Sequence, residues 1–183
     1  VTGFATAFRR GMAPPTLLLA RGSASEAARH CQSAPRTKSY RLEGHGRGPR
    51  AELRCRSHVL CTDVPKAMGG ADSAPQPVEL LLAALAGCEA ATAAYVARHM
   101  RPRFPLARLD FAWEAERDES GATALPLGSA PPAPARLGRV AGTATVHLTA
   151  GRSETSERLA ELQEHVELRC PVADMVRRSG CLL

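Results

Sequence analysis

The stretch of sequence that decides the fold runs from Pro77 to Met100 and reads PVELLLAALAGCEAATAAYVARHM. Alanine and leucine, two of the strongest helix formers, make up half of it, and Gly87 is its only internal glycine. Proline is tolerated in the first helical turn, so a helix can begin at Pro77, and Pro102 prevents it from continuing. Apolar residues cover most of the circumference, which is typical of a helix buried on nearly all sides. The sequence therefore predicts a long, buried central helix.

Strand patterns lie on both sides of this helix. Before it, moderate alternation of apolar and polar residues predicts strands near 39–43 and 51–61, joined by a glycine-rich turn. After it, residues 106–117 and 138–149 predict two further strands. The segment between them, 119–137, is rich in Gly, Ala and Pro, and we expect a long, mobile surface loop.

Two shorter helices complete the domain. Ser153 or Thr155 can cap a helix over about 156–168, and Pro171 can open a last short helix. The element order β, β, long helix, β, β, helix, helix predicts an α+β domain with a mostly antiparallel sheet over residues 39–183.

Residues 1–38 differ from this domain in charge. They hold six basic residues and one acid, a net charge of 6 − 1 = +5, whereas residues 39–183 hold 18 basic and 17 acidic residues, a net charge of +1. Because the basic residues are not clustered on the folded domain, we do not expect nucleic-acid binding. The apolar run 16–20 is too short to cross a membrane, so no membrane partner is expected.

The composition of this leader bears on localisation. An Arg-rich, acid-poor N-terminus is typical of an organelle transit peptide, and a disordered tail without an address is the alternative. The first interpretation predicts a mitochondrial or other organellar protein, and the second predicts a cytoplasmic one.

Six cysteines without a secretory signal indicate core or redox-active thiols rather than a disulfide framework. Cys88 lies midway along the predicted central helix, where a small buried core residue is the simplest explanation. Cys170 precedes Pro171 and falls at a helix N-terminus, where free backbone N–H groups favour an anion. Position alone leaves both alternatives, core thiol and reactive thiol, open.

Cys55-x2-His58-x2-Cys61 contains the residue types of a metal site. On a single strand, residues 55 and 61 share a face while residue 58 points to the other, so the three side chains would not converge. No metal and no cofactor are therefore expected.

Two motifs give the sequence a family resemblance. A D-x-P, a Gly pair and a P-x-P precede the Ala/Leu helix that holds the first cysteine, and a Cys-Pro with a small apolar residue follows two strands later. This order resembles the OsmC/Ohr family over roughly residues 40–178. The residues concerned are Asp63-Val64-Pro65, Gly69-Gly70, Pro75-Gln76-Pro77, Cys88 and Arg169-Cys170-Pro171-Val172.

The resemblance implies a fold and an activity. The fold would be an intertwined homodimer in which antiparallel sheets wrap around two central helices. The activity would be the reduction of organic hydroperoxides in stress response and detoxification, with a dithiol as reductant. Cys88 would attack the peroxide and become a sulfenic acid, and Cys170 would resolve it as a disulfide. The alternative is an OsmC-fold ligand-binding or structural protein with reactive cysteines but little turnover.

The family also uses an arginine and a glutamate to activate the first cysteine. By resemblance the arginine is Arg47 in the glycine-rich hairpin, with Arg50 as substitute or Lys66 in the following loop. Val78 occupies the family's glutamate position, and Glu79 comes one residue later. Glu79 lies about 13 Å along the axis from Cys88, so it would reach only the Cys88 of a second subunit.

Overall fold

The architecture is seen in a computed structural model that describes residues 2–5, 37–128, 130, 133 and 135–180. The α+β class, with antiparallel sheets and one long helix, is confirmed. In chain order the elements are β1 (Thr2–Ala5), β2 (Glu43–Arg47), β3 (Arg50–Cys55), β4 (His58–Thr62), a 3-10 turn (Lys66–Met68), α1 (Pro77–His99), β5 (Leu106–Arg117), α2 (Glu119–Ala122), β6 (Leu137–Leu148), α3 (Ser156–Arg169) and α4 (Pro171–Arg178).

The helix boundaries follow from local chemistry that the sequence makes visible. At the start of α1, the Glu79 carboxylate accepts a 2.7 Å hydrogen bond from the backbone N–H of Gln76, as in a capping box. Thr155 caps α3 by accepting from the backbone N–H of Arg158 at 3.3 Å. Cys170 caps α4, with Pro171 in its first turn. The predicted starts of all three helices are confirmed.

The strands form two antiparallel three-stranded sheets, in the orders β1-β6-β5 and β2-β3-β4. The prediction of one strand over 51–61 is wrong. Arg56 adopts a positive φ of 58°, and the chain reverses there, so that Cys55 pairs with His58 across the β3–β4 turn. Cys61 pairs with Glu52 instead, and among the described residues no three His, Cys, Asp or Glu side chains group as a metal site.

Two segments contain secondary structure that the sequence did not predict. Thr2–Ala5, inside the predicted leader, pair with β6 at the edge of its sheet. Residues 6–36 lie outside the described residues, so the transit-peptide and disordered-tail interpretations stay predictions. Within the predicted loop 119–137, the structure adds the short helix α2, whose N-terminus is capped by Asp118.

The core lies between the β1-β6-β5 sheet and helices α1, α3 and α4. Two clusters of buried side chains fill it. One gathers around the C-terminal half of α1, with Val96, Ala97, Met100, Phe104, Val146 and Leu162. The other lies nearer its N-terminus, with Leu85, Val140, Cys170, Ala173 and Val176. The second cluster holds the site described below.

The prediction that α1 is buried on nearly all sides is wrong for a single chain. The buried residues of the helix are Leu85, Ala93, Val96 and Ala97, whereas Ala84, Gly87, Ala91, Ala94 and Tyr95 are exposed. The exposed residues recur at helical spacing, so they form one stripe that the other described residues leave uncovered. By length and composition α1 would also qualify as a membrane span, a test that the core helices of soluble proteins pass as well.

The β2-β3-β4 sheet is uncovered in the same way. Among the described elements its strands pack extensively only on one another. One of its faces carries Leu53 and Leu60, which are paired across β3 and β4, and Leu60 is 44% exposed. A sheet with an uncovered apolar face and a helix with an uncovered stripe are two surfaces that the described part of the chain does not bury.

We expect Gly142→Ala to destabilise the fold. Gly142 of β6 faces Trp113 of β5, and a Cβ there would lie 2.4 Å from the carbonyl oxygen of Ala112 and 2.5 Å from Trp113 Cε3. Overpacking of this kind costs about 1–3 kcal/mol of unfolding free energy. Gly138→Ala in the same strand is the control, because no heavy atom lies within 4 Å of its Cβ position. Urea denaturation of both variants checks this, and equal midpoints would contradict it.

Candidate active site

Two cysteines from distant parts of the chain meet in the second core cluster. Cys170 lies at the junction of α3 and α4 with 1% of its surface exposed, and its sulfur accepts a 3.5 Å hydrogen bond from the backbone N–H of Ala173. Cys88, at the middle of α1, packs against the same cluster and is only partly buried. The two side chains lie in one packed cluster, and both are free thiols rather than a disulfide.

The surroundings hold Cys170 in its protonated form. Burial raises the pKa of the Cys170 thiol well above its usual range, and the Ala173 N–H opposes this only in part. The Cys88 side chain and the negative charge of the Glu89 carboxylate raise the pKa of Cys170 further. A thiol that is buried and protonated is a poor first nucleophile, so Cys170 needs a proton acceptor before it can react.

A carboxyl group that the sequence analysis did not single out lies beside these thiols. Glu89 follows Cys88 directly and is partly buried, and burial raises its pKa to about 7. The negative charge of Glu167 raises the same pKa, and Arg177 lowers it. A signal was available, because Glu89 is the only charged residue between Leu80 and Ala97.

Glu89 and Glu167 also line a small apolar pocket, about 30 Å³ in volume, that is open to solvent. The pocket lies between α1, α3 and the β5–β6 strands. Its apolar lining consists of Ala93, Leu109, Phe111, Ala144, Leu162 and Val166, and Gln163 adds an amide. Such a lining suits an apolar ligand group, with carboxyl and amide groups available to a polar end.

Trp113 is the unusual aromatic residue of this region. Its indole packs against the cluster that contains Cys170 and Cys88, and its Nε1–H is buried without a hydrogen-bond acceptor among the described residues. A buried donor without an acceptor is costly and is uncommon in folded proteins. The cluster therefore holds one donor that is available to an oxygen atom brought by a ligand.

The other predicted site residues lie elsewhere in the single chain. Arg47 ends β2 at an exposed position, and Lys66 is exposed in the 3-10 turn. Arg50 donates to Ser73 Oγ at 2.5 Å and to Cys61 Sγ at 3.6 Å, not to Cys88. Glu79 caps α1. The structure thus brings Cys88 and Cys170 together but leaves Arg47 and Glu79 apart from them within one chain.

The aspartate of the D-x-P motif holds the loop before α1. Asp63 is 1% exposed, and its carboxylate accepts hydrogen bonds from the backbone N–H groups of Val64, Ala71 and Ser73 at 2.8, 3.2 and 3.0 Å. Ser73 Oγ also donates to it at 2.7 Å, and hydrogen bonds from Ser73 and Val64 lower the pKa of Asp63 to about 2. This carboxylate is therefore a structural anchor of the loop that leads into the Cys88 helix.

The fold and the thiol pair define an α+β protein with two interacting cysteines, one on a long helix and one at the start of the last helix. The sequence profile of the OsmC-like protein family matches residues 70–181, which include both cysteines. The chain therefore belongs to the OsmC-like protein family.

Solved structures give the same fold at low sequence identity. An organic hydroperoxide resistance protein OsmC and predicted redox protein from Legionella pneumophila superposes with a TM-score of 0.55 at 19% identity, covering 78% of this chain and 92% of its own. An OsmC-like protein of unknown function from Vibrio cholerae superposes with a TM-score of 0.61 at 10% identity, covering 76% and 94%. No curated protein matches the sequence.

We expect Asp63→Asn to reduce stability in a pH-dependent way. The folded pKa of Asp63, about 2, lies below its ordinary value of 3.8. Its contribution is therefore fully present above about pH 4 and is lost as the pH falls towards 2. The difference in denaturation midpoint between wild type and Asp63→Asn should narrow over that range.

Asp72→Asn, which changes an exposed acid in the same loop, is the matched control and should leave the midpoint unchanged. A wild-type to Asp63→Asn difference that stays constant from pH 5 to pH 2 would contradict the assignment of Asp63 as an ionised anchor.

Proposed function

We propose that this protein is a thiol-dependent peroxidase that reduces organic hydroperoxides, with Cys88 as the peroxidatic and Cys170 as the resolving cysteine. The observation that carries the proposal is the packing of these two free thiols in one cluster, in a chain of the OsmC-like family. The hydroperoxide resistance named for the Legionella pneumophila structure agrees with it.

The reaction balances with three participants. The Cys88 thiolate attacks the terminal oxygen of the hydroperoxide ROOH, the O–O bond breaks, and the alcohol ROH leaves after taking up a proton. Cys88 becomes a sulfenic acid, Cys–SOH. Cys170 then attacks the Cys88 sulfur, a disulfide forms and water leaves. A dithiol reduces that disulfide by thiol exchange and is itself oxidised to a disulfide.

The burial of the two cysteines supports this division of roles. Cys170 is 1% exposed and its thiol is held protonated, whereas Cys88 is partly accessible. A peroxide arriving from solvent therefore meets Cys88 first, and Cys170 is positioned to react only after Cys88 has been oxidised.

One feature favours an organic hydroperoxide over hydrogen peroxide, and a second would serve either substrate. The small pocket next to Glu89 has an apolar lining that an alkyl group would pack against. The Nε1–H of Trp113 is a buried donor that the oxygen of a bound peroxide could accept from. Hydrogen peroxide would use the donor but would gain nothing from the apolar lining.

We also propose that the active form is a homodimer. The exposed stripe of α1 and the uncovered β2-β3-β4 sheet are surfaces that a second copy would bury. Arg47 and Glu79 make no contact with Cys88 in one chain, so a partner subunit would have to bring them to it. A shared site of this kind would explain why Arg47 and Glu79 lie apart from the thiol pair in the single chain.

The separation of Arg47 and Glu79 from Cys88 within one chain favours the second candidate function. Arg50 contacts Cys61 and Ser73 rather than Cys88, and Glu79 is engaged at the helix cap. If dimerisation does not supply an activating residue, the protein would be an OsmC-fold ligand-binding or structural protein with reactive cysteines and little turnover.

We expect the wild-type protein to consume cumene hydroperoxide faster than hydrogen peroxide when dithiothreitol is supplied. Cys88→Ser should abolish turnover, with a loss of at least about 10³-fold, because no other described thiol has a resolving partner. Cys170→Ser should accumulate a Cys88 sulfenic acid that dimedone traps.

Cys55→Ser, which changes a thiol on the β2-β3-β4 sheet, is the matched control and should keep full turnover. No peroxide-dependent oxidation of Cys88 in any of these proteins would rule out the peroxidase and favour the second candidate.

We expect Ala91→Glu to convert a dimer to a monomer, because it places a charge in the exposed stripe of α1. Ala160→Glu, the same change at an exposed position of α3, should remain dimeric. Light scattering after size exclusion at micromolar concentration measures the mass, and turnover should fall with the dimer. A monomeric wild type would contradict the proposed assembly.

A further inference from the structure

Glu89 has no role in the chemistry described so far, although its position is unusual. It is the only charged residue in the interior of α1, it follows Cys88 directly, and it lines the apolar pocket together with Glu167. Its negative charge acts on Cys170 across the interface between α1 and α4. A partly buried carboxyl group beside two reacting thiols is well placed to move a proton between them.

The groups that face Glu89 come from each element packed on it. Helix α3 contributes Glu167, whose carboxylate accepts a 2.8 Å hydrogen bond from Gln163 Nε2. From α4, Arg177 faces it, and the Arg177 guanidinium also donates to the carbonyl oxygens of Ala173 and Glu167. The remaining ionisable neighbours are the two thiols.

The β5–β6 strands add no ionisable group on the side that faces Glu89. They contribute Leu109, Phe111 and Ala144 to the shared pocket. The protonation of Glu89 is therefore controlled by burial, by the negative charge of Glu167 and by the positive charge of Arg177.

We propose that Glu89 is the proton carrier of the step in which Cys170 resolves the oxidised Cys88. This inference rests on the proposed peroxidase function and deepens it. The Glu89 carboxylate takes the proton of the Cys170 thiol, directly or through one water, as the Cys170 sulfur attacks Cys88 Sγ. The S–O bond of the sulfenic acid breaks, and the same proton goes to the departing hydroxide. A disulfide and one water are the products.

Two observations make this assignment chemically reasonable. Cys170 is buried and protonated and cannot reach solvent to release its proton. The pKa of Glu89 is raised to about 7, so its carboxyl group can both accept and return a proton near neutral pH. Glu167 raises this pKa and Arg177 lowers it, so the two residues together adjust the pKa of Glu89. We assign neither of them a part in the proton transfer.

The test is a single turnover with one equivalent of cumene hydroperoxide, in which sulfenic acid formation and disulfide formation are followed separately. In wild type, the rate of disulfide formation should rise with pH through an apparent pKa near 7. Glu89→Gln should slow that step about 10²-fold or more, whereas sulfenic acid formation, at a pocket that Glu89 also lines, should change far less. Glu164→Gln, at an exposed position of α3, is the matched control and should match wild type.

Glu167→Gln provides an independent readout, because it removes the negative charge that raises the Glu89 pKa. The pH profile of disulfide formation should then shift to lower pH, while the rate at its plateau stays within a few-fold of wild type. Circular dichroism confirms that each variant is folded. A merely structural role of Glu89 would not produce this shift.

The outcomes separate this inference from the function beneath it. If Cys88 is oxidised and resolved in Glu89→Gln with the wild-type rate and pH profile, the proton-carrier role is overturned while the peroxidase stands. If wild type forms no sulfenic acid at Cys88, both are overturned.

Discussion

The structure depends on one contact, that of Cys88 in the middle of α1 with Cys170 where α3 meets α4. The contact joins the long helix to the C-terminal helical pair, and the cluster around it, which includes Leu85 and Val140, connects both to the sheet. It also fixes the chemistry, because one thiol is partly accessible while the other is buried and protonated. Packing and reactivity therefore arise from the same few side chains.

The two sides of helix α1 have different surroundings. One side packs on the sheet and on α3 and α4 through Leu85, Ala93 and Val96, while the opposite stripe of small residues is left exposed. An apolar composition over the whole circumference serves both sides only if something else covers the stripe. The proposed second subunit would cover this stripe. Its Arg47 and Glu79 would then be candidates to contact Cys88 of the first subunit. The uncovered β2-β3-β4 sheet leads to the same proposal from a different part of the chain.

Local signals in the sequence predicted much of the fold. The proline before α1, the Thr155 cap of α3 and the alternation of β5 are decided by neighbouring residues, and the structure has them where expected. The turn between β3 and β4 was missed because Arg56 adopts a left-handed conformation without the glycine that usually marks one. Glu89 was missed as well, because its raised pKa comes from burial in the folded protein and from the charge of Glu167, which is far away in sequence. Tertiary contacts of that kind cannot be inferred from periodicity, although a lone acid in an apolar helix was a usable hint.

Cys88 and Cys170 are proposed to form one redox couple. Peptide mapping by mass spectrometry after one equivalent of cumene hydroperoxide tests this most directly. Free thiols are alkylated under denaturing conditions before digestion. We expect a single peptide pair linked through Cys88 and Cys170, which dithiothreitol converts back to two alkylatable thiols, while Cys55 and Cys61 remain free. Recovery of Cys170 as a fully alkylated thiol, with Cys88 either untouched or oxidised to the sulfinic acid, would contradict it.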